Sequence, residues 1–288
     1  MSKRPSELKT KIFLDGGDPK ETKEIIGLLG FLDGQTTNPT LISKNPEVEE
    51  RLGRGKKFSK DEIYNFYKRV VREIAGLIPE GSISIEVYAD FNTVPEDMFN
   101  QAKEMYSWIS NARVKFPITK AGLTAATMAV EEEIRINMTL CFTQQQAAAV
   151  YSATKRAAKG SVYVSPFVGR LDDRGEDGMS LIANIIKMYK KGNGHVEVLT
   201  ASVRNIDHLL YGIYLGSDII TAPFGVLKEW AEQGMLLPDS NYQYKTNLKE
   251  ILYKEIDLNK SLHNFDISHE LTKAGIERFS NDWNILIE

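Results

Sequence analysis

A parallel (β/α)8 barrel is the fold the sequence predicts, and three observations predict it. Eight short runs of strand character lie between Lys11 and Thr221. Helical stretches separate them in strict alternation, and eight is the number of parallel strands that closes a sheet on itself. No Gly-x-Gly-x-x-Gly follows the first run, which weakens the open dinucleotide-binding sheet as the alternative. A chain of 288 residues fits one such domain, 1–288, with a substantial core.

The elements follow in order. Residues 11–15 are an apolar run ending in Asp15, and Gly16-Gly17-Asp18-Pro19 turns the chain into a helix over 20–29. Asp18 is the cap and Pro19 suits the first helical position. A second strand over 30–34 closes on Gln35-Thr36-Thr37-Asn38-Pro39, where the proline biases Asn38 toward extended backbone. Residues 45–60, charged and Gly-rich with Arg51, Arg54, Lys56 and Lys57, read as a solvated loop. A helix over 61–78 carries Ile63, Phe66, Val70 and Ile74 near the 3.6 period, and Pro79-Glu80-Gly81 ends it. Residues 82–87 alternate cleanly, with Glu86 on the serine face.

A helix over 97–109 leads to Arg113-Val114-Lys115-Phe116-Pro117-Ile118-Thr119, which is too short and too β-branched for a helix. Alternation places Arg113, Lys115 and Pro117 on one face, opposite Val114 and Phe116. Helices over 122–133, 144–158, 179–190 and 206–215 then alternate with strands over 134–140, 161–165, 196–200 and 218–221. Residues 236–266 are polar and irregular, an added segment over the barrel, and 268–287 return to a helical pattern. Together 236–288 form a C-terminal extension expected to pack on a barrel; periodicity alone fits its own or a neighbour's.

Composition removes several classes of function. With 36 basic and 39 acidic residues the net charge is −3, so no dominant positive field exists to draw nucleic acid. No apolar run is long enough to span a bilayer, and residues 1–7 are polar without a signal-peptide pattern. Cys141 is the single cysteine, which excludes an internal disulfide framework and fits a reducing, cytoplasmic compartment. His195, His208, His263 and His269 show no ligand spacing, so neither a metal nor any other cofactor is expected, although carboxylate-only sites stay open. Proton transfer near neutral pH then falls to carboxylates, lysine or tyrosine.

In such a barrel, chemistry sits where strands run out into loops at the C-terminal face. Those ends carry Asp15, Thr37, Asn38, Glu86, Lys115, Asn137, Thr139, Ser165, Phe167, Arg170, Ser202 and Arg204. Singly, each has an ordinary explanation: a cap, a turn former, a snorkelling lysine, or Arg170 paired with Asp172 or Asp173. Jointly they supply one lysine, two carboxylates and several hydroxyl or amide groups. That is the inventory for carbonyl chemistry through an imine. Desolvation favours the neutral, nucleophilic amine of a lysine. Arg170 and Ser202-x-Arg204 add a phosphate site, since guanidinium forks fit phosphate oxygens and the late loops of these barrels hold phosphate.

Gln35-Thr36-Thr37-Asn38-Pro39-Thr40, Val114-Lys115-Phe116-Pro117, Asn137-Met138-Thr139-Leu140, Ser165-Pro166-Phe167-Val168-Gly169-Arg170 and Ala201-Ser202-Val203-Arg204-Asn205 resemble, in order, the motifs of the transaldolase family. The resemblance implies that Lys115 forms a Schiff base with a ketose phosphate. Asp15 would move the proton at the hydroxyl where the carbon–carbon bond breaks. Glu86 would act through a water on the carbinolamine. Asn38, Asn137, Thr139 and Ser165 would hold the dihydroxyacetone portion and that water, Thr37 would join the substrate-binding set, Phe167 would line the site, and Arg170, Ser202 and Arg204 would bind the phosphate. It further implies sugar-phosphate substrates, the pentose phosphate pathway and a homo-oligomer. Related fructose 6-phosphate aldolases carry glutamine at the position of Glu86 and tyrosine at that of Phe167. A phenol there can protonate the enamine and release dihydroxyacetone, whereas Phe167 cannot, so transfer to an acceptor is expected. A barrel that binds sugar phosphates without turnover is the non-enzymatic alternative. The chain departs from the family at Gly16-Gly17, where Thr-Gly or Thr-Ser is usual, and at Thr143-Gln144.

Overall fold

Eight parallel strands close on themselves in the computed structural model, which describes residues 4–288. They are β1 Lys11–Asp15, β2 Gly34–Thr36, β3 Ser82–Glu86, β4 Ala112–Pro117, β5 Ile136–Cys141, β6 Val162–Pro166, β7 Val196–Thr200 and β8 Ile219–Ala222. Each pairs with the next, and β8 returns to β1. The helices are α1 Pro19–Leu29, α2 Pro39–Ser43, α3 Pro46–Gly53, α4 Lys60–Leu77, α5 Pro95–Tyr106, α6 Lys120–Glu131, α7 Gln144–Ala153, α8 Val168–Asp172, α9 Gly178–Tyr189, α10 Ile206–Leu215, α11 Phe224–Glu232 and α12 Glu270–Asn284. Their apolar faces pack on the outside of the sheet, so the barrel strands are buried on both faces. None of the described helices is long and apolar enough to cross a membrane. Of the polar stretch at 1–7, residues 1–3 lie outside the described residues.

The second strand is displaced from its expected place. Gly30 adopts φ 78° and its N–H closes α1 on the Ile26 carbonyl, so 31–33 is a connector and not a strand. Asp33 in that connector accepts from the Ile12 N–H and pairs with Arg4 at 2.5 Å. Residues 46–53, expected within a solvated loop, form α3; Asn45 caps it with Pro46 at the first position. Its basic residues are engaged at the surface, Arg51 with Glu62 and Arg54 with Glu50. α7 stops at Ala153, short of the expected 158, where the Thr154 hydroxyl donates to the Val150 carbonyl. α11 was not marked by any sequence signal used above.

The barrel interior is layered from charge to apolar to polar. At the N-terminal end Lys11 pairs with Glu197 at 3.2 Å. The buried Arg113 guanidinium lies 3.5 Å from the Tyr163 ring centroid and donates to the Gly160 carbonyl at 2.7 Å. Phe13, Tyr163, Leu199 and Ile219 fill the middle. Gly34 is required by that filling, because a Cβ there would lie 2.3 Å from the Ser82 carbonyl oxygen and 2.6 Å from the Phe13 ring.

The C-terminal helix packs on its own barrel, against α2 and β5. β5 shifts register between Met138 and Cys141, with Leu140 at φ 61°. That left-handed residue costs about 1 kcal/mol. It aims the Leu140 carbonyl outward to accept from Thr272 of α12 at 3.0 Å, and Gly275 leaves room for the Leu140 side chain. The 236–266 segment is largely irregular, as expected. Lys249–Glu250 pair with Glu176–Asp177, Lys254 exchanges two hydrogen bonds with Gln144, and Ile256, Leu258 and Phe265 are buried.

Gly34→Ala should cost about 3 kcal/mol through overpacking and lower the melting temperature by roughly 5–10 °C. Calorimetry checks this; melting within 1 °C of the parent, by that order of magnitude, would show that Phe13 and the β2–β3 ladder can shift freely.

Candidate active site

The strands position the polar layer by register. Glu86 stands opposite Lys115 on neighbouring strands, and Lys115 opposite Asn137. Inward-facing positions on β3, β4 and β5 thus bring a carboxylate, an amine and an amide to one level at the C-terminal end of the barrel.

Lys115 is 3% exposed. Its Nζ lies 2.7 Å from Glu86 Oε2 and donates to the Thr37 carbonyl at 2.8 Å. The contact with Glu86 is close but poorly directed for a hydrogen bond, so attraction between the charges dominates it. Burial pushes the Glu86 carboxyl above its ordinary value; Lys115 opposes this and Asp15 adds to it. Asp15 is likewise raised by burial, against the attraction of Lys115 and a hydrogen bond from Thr36. Two desolvated carboxyls around one ammonium form a site in which a proton can move at low cost.

Supports reach this centre from behind. The Tyr67 hydroxyl of α4 lies 2.6 Å from Thr37 Oγ1 and accepts from the Glu86 N–H at 3.1 Å. Thr37 Oγ1 also donates to the Ser84 carbonyl. The Thr37 side chain is therefore turned into the wall, and its backbone carbonyl is what meets the lysine. Ser165 donates to Asn137 Oδ1 at 2.7 Å, and Asn137 Nδ2 to Ser84 Oγ at 3.2 Å. Asn137 is fully buried within this chain of bonds.

A cavity of about 430 Å³ opens above. Asp15, Asn38, Lys115, Thr139, Ser165, Phe167, Arg170, Ser202 and Arg204 all line it; Thr37, Glu86 and Asn137 stand behind that surface. Asn38 caps α2, accepting from the Leu41 N–H at 2.9 Å, and its Nδ2 makes no bond among the described residues. Thr139 Oγ1 is buried in the wall with no partner among the described residues. Phe167 is held edge-on by Phe142, 5.9 Å between centroids. Among the described residues, no tyrosine or histidine lines the wall.

The arginines gather on one side. Arg170 is half-buried with no ion-pair partner among the described residues, and its guanidinium is pulled below its ordinary value by burial and then by Arg278 and Arg204. The pairings open to it from the sequence, Asp172 and Asp173, are taken by His208 and Arg204 instead. Ser202 sits at φ 58°, a left-handed strain of about 1 kcal/mol. Gly169 is needed here, since its Cβ would lie 2.3 Å from Arg204 Nε and 2.5 Å from the Ser202 carbonyl oxygen. Crowded guanidiniums are stabilised by an anion, and phosphate suits their geometry.

Three contributors escaped the sequence. Thr36 donates to Asp15 at 2.7 Å and touches Thr221 at 2.6 Å. The expected strand at 30–34 lies ahead of the observed β2, Gly34–Thr36, and so leaves the inward alternation of Thr36 out of view. Tyr67 lies in an amphipathic helix where it looks like core. Arg278 reaches the cavity from α12, and nothing in that helix's pattern distinguishes it from its charged neighbours. Gly17 agrees with the family's Thr-Gly form, and a Cβ on it would lie 2.6 Å from the Leu41 carbonyl oxygen; at Gly16, the position that departs, a Cβ would lie 3.2 Å from Glu21 Oε2. Asp15 is oriented across the ladder by Thr36 instead. Among the described residues no group of three or more His, Cys, Asp or Glu side chains is placed to hold a metal.

Residues 12–288 match the family model described as Transaldolase/Fructose-6-phosphate aldolase. The chain belongs to that family. It is 35% identical over 274 residues to a "Probable transaldolase" of Dehalococcoides mccartyi, covering 95% of this chain and 97% of that one. A "Probable transaldolase" of Thermoplasma volcanium is 40% identical over 218 residues, covering 76% and 86%. One from Methanococcus maripaludis is 34% identical over 274 residues, covering 95% and 97%.

The electrostatics of this family member carry a stability cost. A carboxyl whose value is raised in the fold binds its proton more tightly folded than unfolded, so stability falls as pH rises through the folded value. Above the ordinary carboxyl range the raised Asp15 carboxyl weakens the fold. Asp15→Asn should therefore raise the melting temperature by about 2 °C. A lower melting temperature would mean that attraction to Lys115 outweighs burial.

Proposed function

We propose that the chain is a transaldolase that moves a dihydroxyacetone unit through a Schiff base on Lys115. The donor is sedoheptulose 7-phosphate or fructose 6-phosphate, and the acceptor glyceraldehyde 3-phosphate or erythrose 4-phosphate, in the pentose phosphate pathway. The observation that carries this reading is the buried Lys115 ammonium against Glu86, at a cavity that also presents Asp15 and a cluster of arginines.

The steps follow from the neighbours. Glu86 takes a proton from Lys115, and the free amine adds to the ketone carbon. The carbinolamine loses its oxygen as water, with Glu86 returning the proton through a water molecule. Asp15 then accepts the proton of the hydroxyl next to the breaking carbon–carbon bond. The aldose leaves, and the remaining three carbons stay on Lys115 as an enamine. Ser165, Asn38 and Thr139 offer donors and acceptors to its hydroxyls, with Asn137 holding Ser165 from behind, while Thr37 contributes the carbonyl that holds the amine. Addition of the enamine to an acceptor aldehyde reverses these steps, and Asp15 gives its proton to the new hydroxyl. Arg170, Ser202 and Arg204 hold the phosphate, with Arg278 beside them.

Phe167 supports transfer over release. With no phenol or imidazole in the cavity wall, the enamine has no neutral acid from those groups to protonate its carbon. A reducing, cytoplasmic setting belongs to the same reading and is supported by the buried free thiol of Cys141.

Glyceraldehyde 3-phosphate release from fructose 6-phosphate should require erythrose 4-phosphate beyond a single turnover. Equal release without the acceptor would make the enzyme an aldolase.

A further inference from the structure

We propose that His208 is a positioning residue of the phosphate site, bridging the two segments that carry its arginines. This rests on the phosphate reading given above. Arg170 belongs to α8, whereas Ser202 and Arg204 belong to the loop after β7. His208, in the first turn of α10, touches both. The Arg204 backbone N–H donates to His208 Nδ1 at 3.3 Å, and His208 Nε2 lies 2.9 Å from Asp172 Oδ2 at the end of α8. Asp172 is itself fixed by the Gly178 N–H, which donates to its Oδ1 at 2.9 Å.

One tautomer satisfies both contacts. Nδ1 must present its lone pair to Arg204, so the proton sits on Nε2 and is donated to Asp172. The imidazole then spans the gap between the arginine-bearing segments and fixes their separation. His208 is 2% exposed, and the extension supplies its cover: Tyr244 lies 6.3 Å from the ring and stacks on Tyr211 at 4.4 Å. The Asn205 cap on the His208 N–H, at 2.9 Å, ties the same loop to the same turn of helix. No spacing in the chain singles out this histidine, since its partners are 4 and 36 residues away.

Asparagine can reproduce the Nδ1 acceptor and glutamine the Nε2 donor, which separates the two contacts. The test measures kcat and KM for fructose 6-phosphate with erythrose 4-phosphate, together with competitive inhibition by inorganic phosphate. His208→Ala, which loses both contacts, should raise KM and the phosphate inhibition constant about fivefold, with kcat within about twofold. His208→Asn and His208→Gln, each keeping one contact, should fall between His208→Ala and the parent. If His208→Ala does not fold, these two variants decide: each should raise both constants about twofold with kcat unchanged. A fall in kcat that matches the rise in KM in every variant, or both constants unchanged in His208→Asn and His208→Gln, would overturn the assignment. Arg204→Ala is the reference: if it loses phosphate inhibition while every His208 variant keeps it, only the role of His208 fails. If phosphate does not inhibit the parent enzyme, the phosphate reading itself fails, and the inference with it.

Discussion

A buried ammonium has to be compensated, and much of this barrel's upper half is arranged around that requirement. Taking Lys115 out of water would cost several kcal/mol without a partner. Glu86 at 2.7 Å and the Thr37 carbonyl at 2.8 Å supply the compensation. Each is held in turn. Tyr67 reaches from α4 to both the Glu86 N–H and Thr37 Oγ1, and the β3–β4 register fixes the carboxylate opposite the amine. A buried pair is weak evidence for stability, and here both carboxyls near the lysine are pushed upward by burial. The arrangement sacrifices some stability for a site in which protons are loosely owned.

The second constraint is how the arginines are kept together. Three guanidiniums repel, yet Arg170, Arg204 and Arg278 share one wall. Asp173 and Asp282 neutralise two of them at the rim, at 2.7 and 3.6 Å, while Arg170 has no ion-pair partner among the described residues. The C-terminal helix takes part: the Leu140 bulge anchors it on β5, and Asp282 also accepts from Thr40 of α2.

The fold was legible because the barrel writes itself as repeated punctuation, and most strand-end candidates fall at the cavity or just behind it. Alternation sufficed for Glu86 and Lys115, whose strands are long enough to show a period of two. It failed for β2, which has only three residues and carries its information in the left-handed cap at Gly30 and the steric demand of Phe13 on Gly34. Thr36 is therefore hidden, although it and its neighbour Thr37 both reach the centre, one on Asp15 and the other on Lys115. Arg278 and Tyr67 were hidden for a different reason: each lies in an amphipathic helix whose period records burial, not destination. The covalent role proposed for Lys115 is the point on which the rest turns.

Borohydride reduction in the presence of fructose 6-phosphate, followed by peptide mass spectrometry, tests that point most directly. The account predicts a reduced three-carbon adduct on Lys115, dependent on the sugar phosphate and absent after Lys115→Arg. Turnover without any trapped lysine, or an adduct on another lysine, would contradict it.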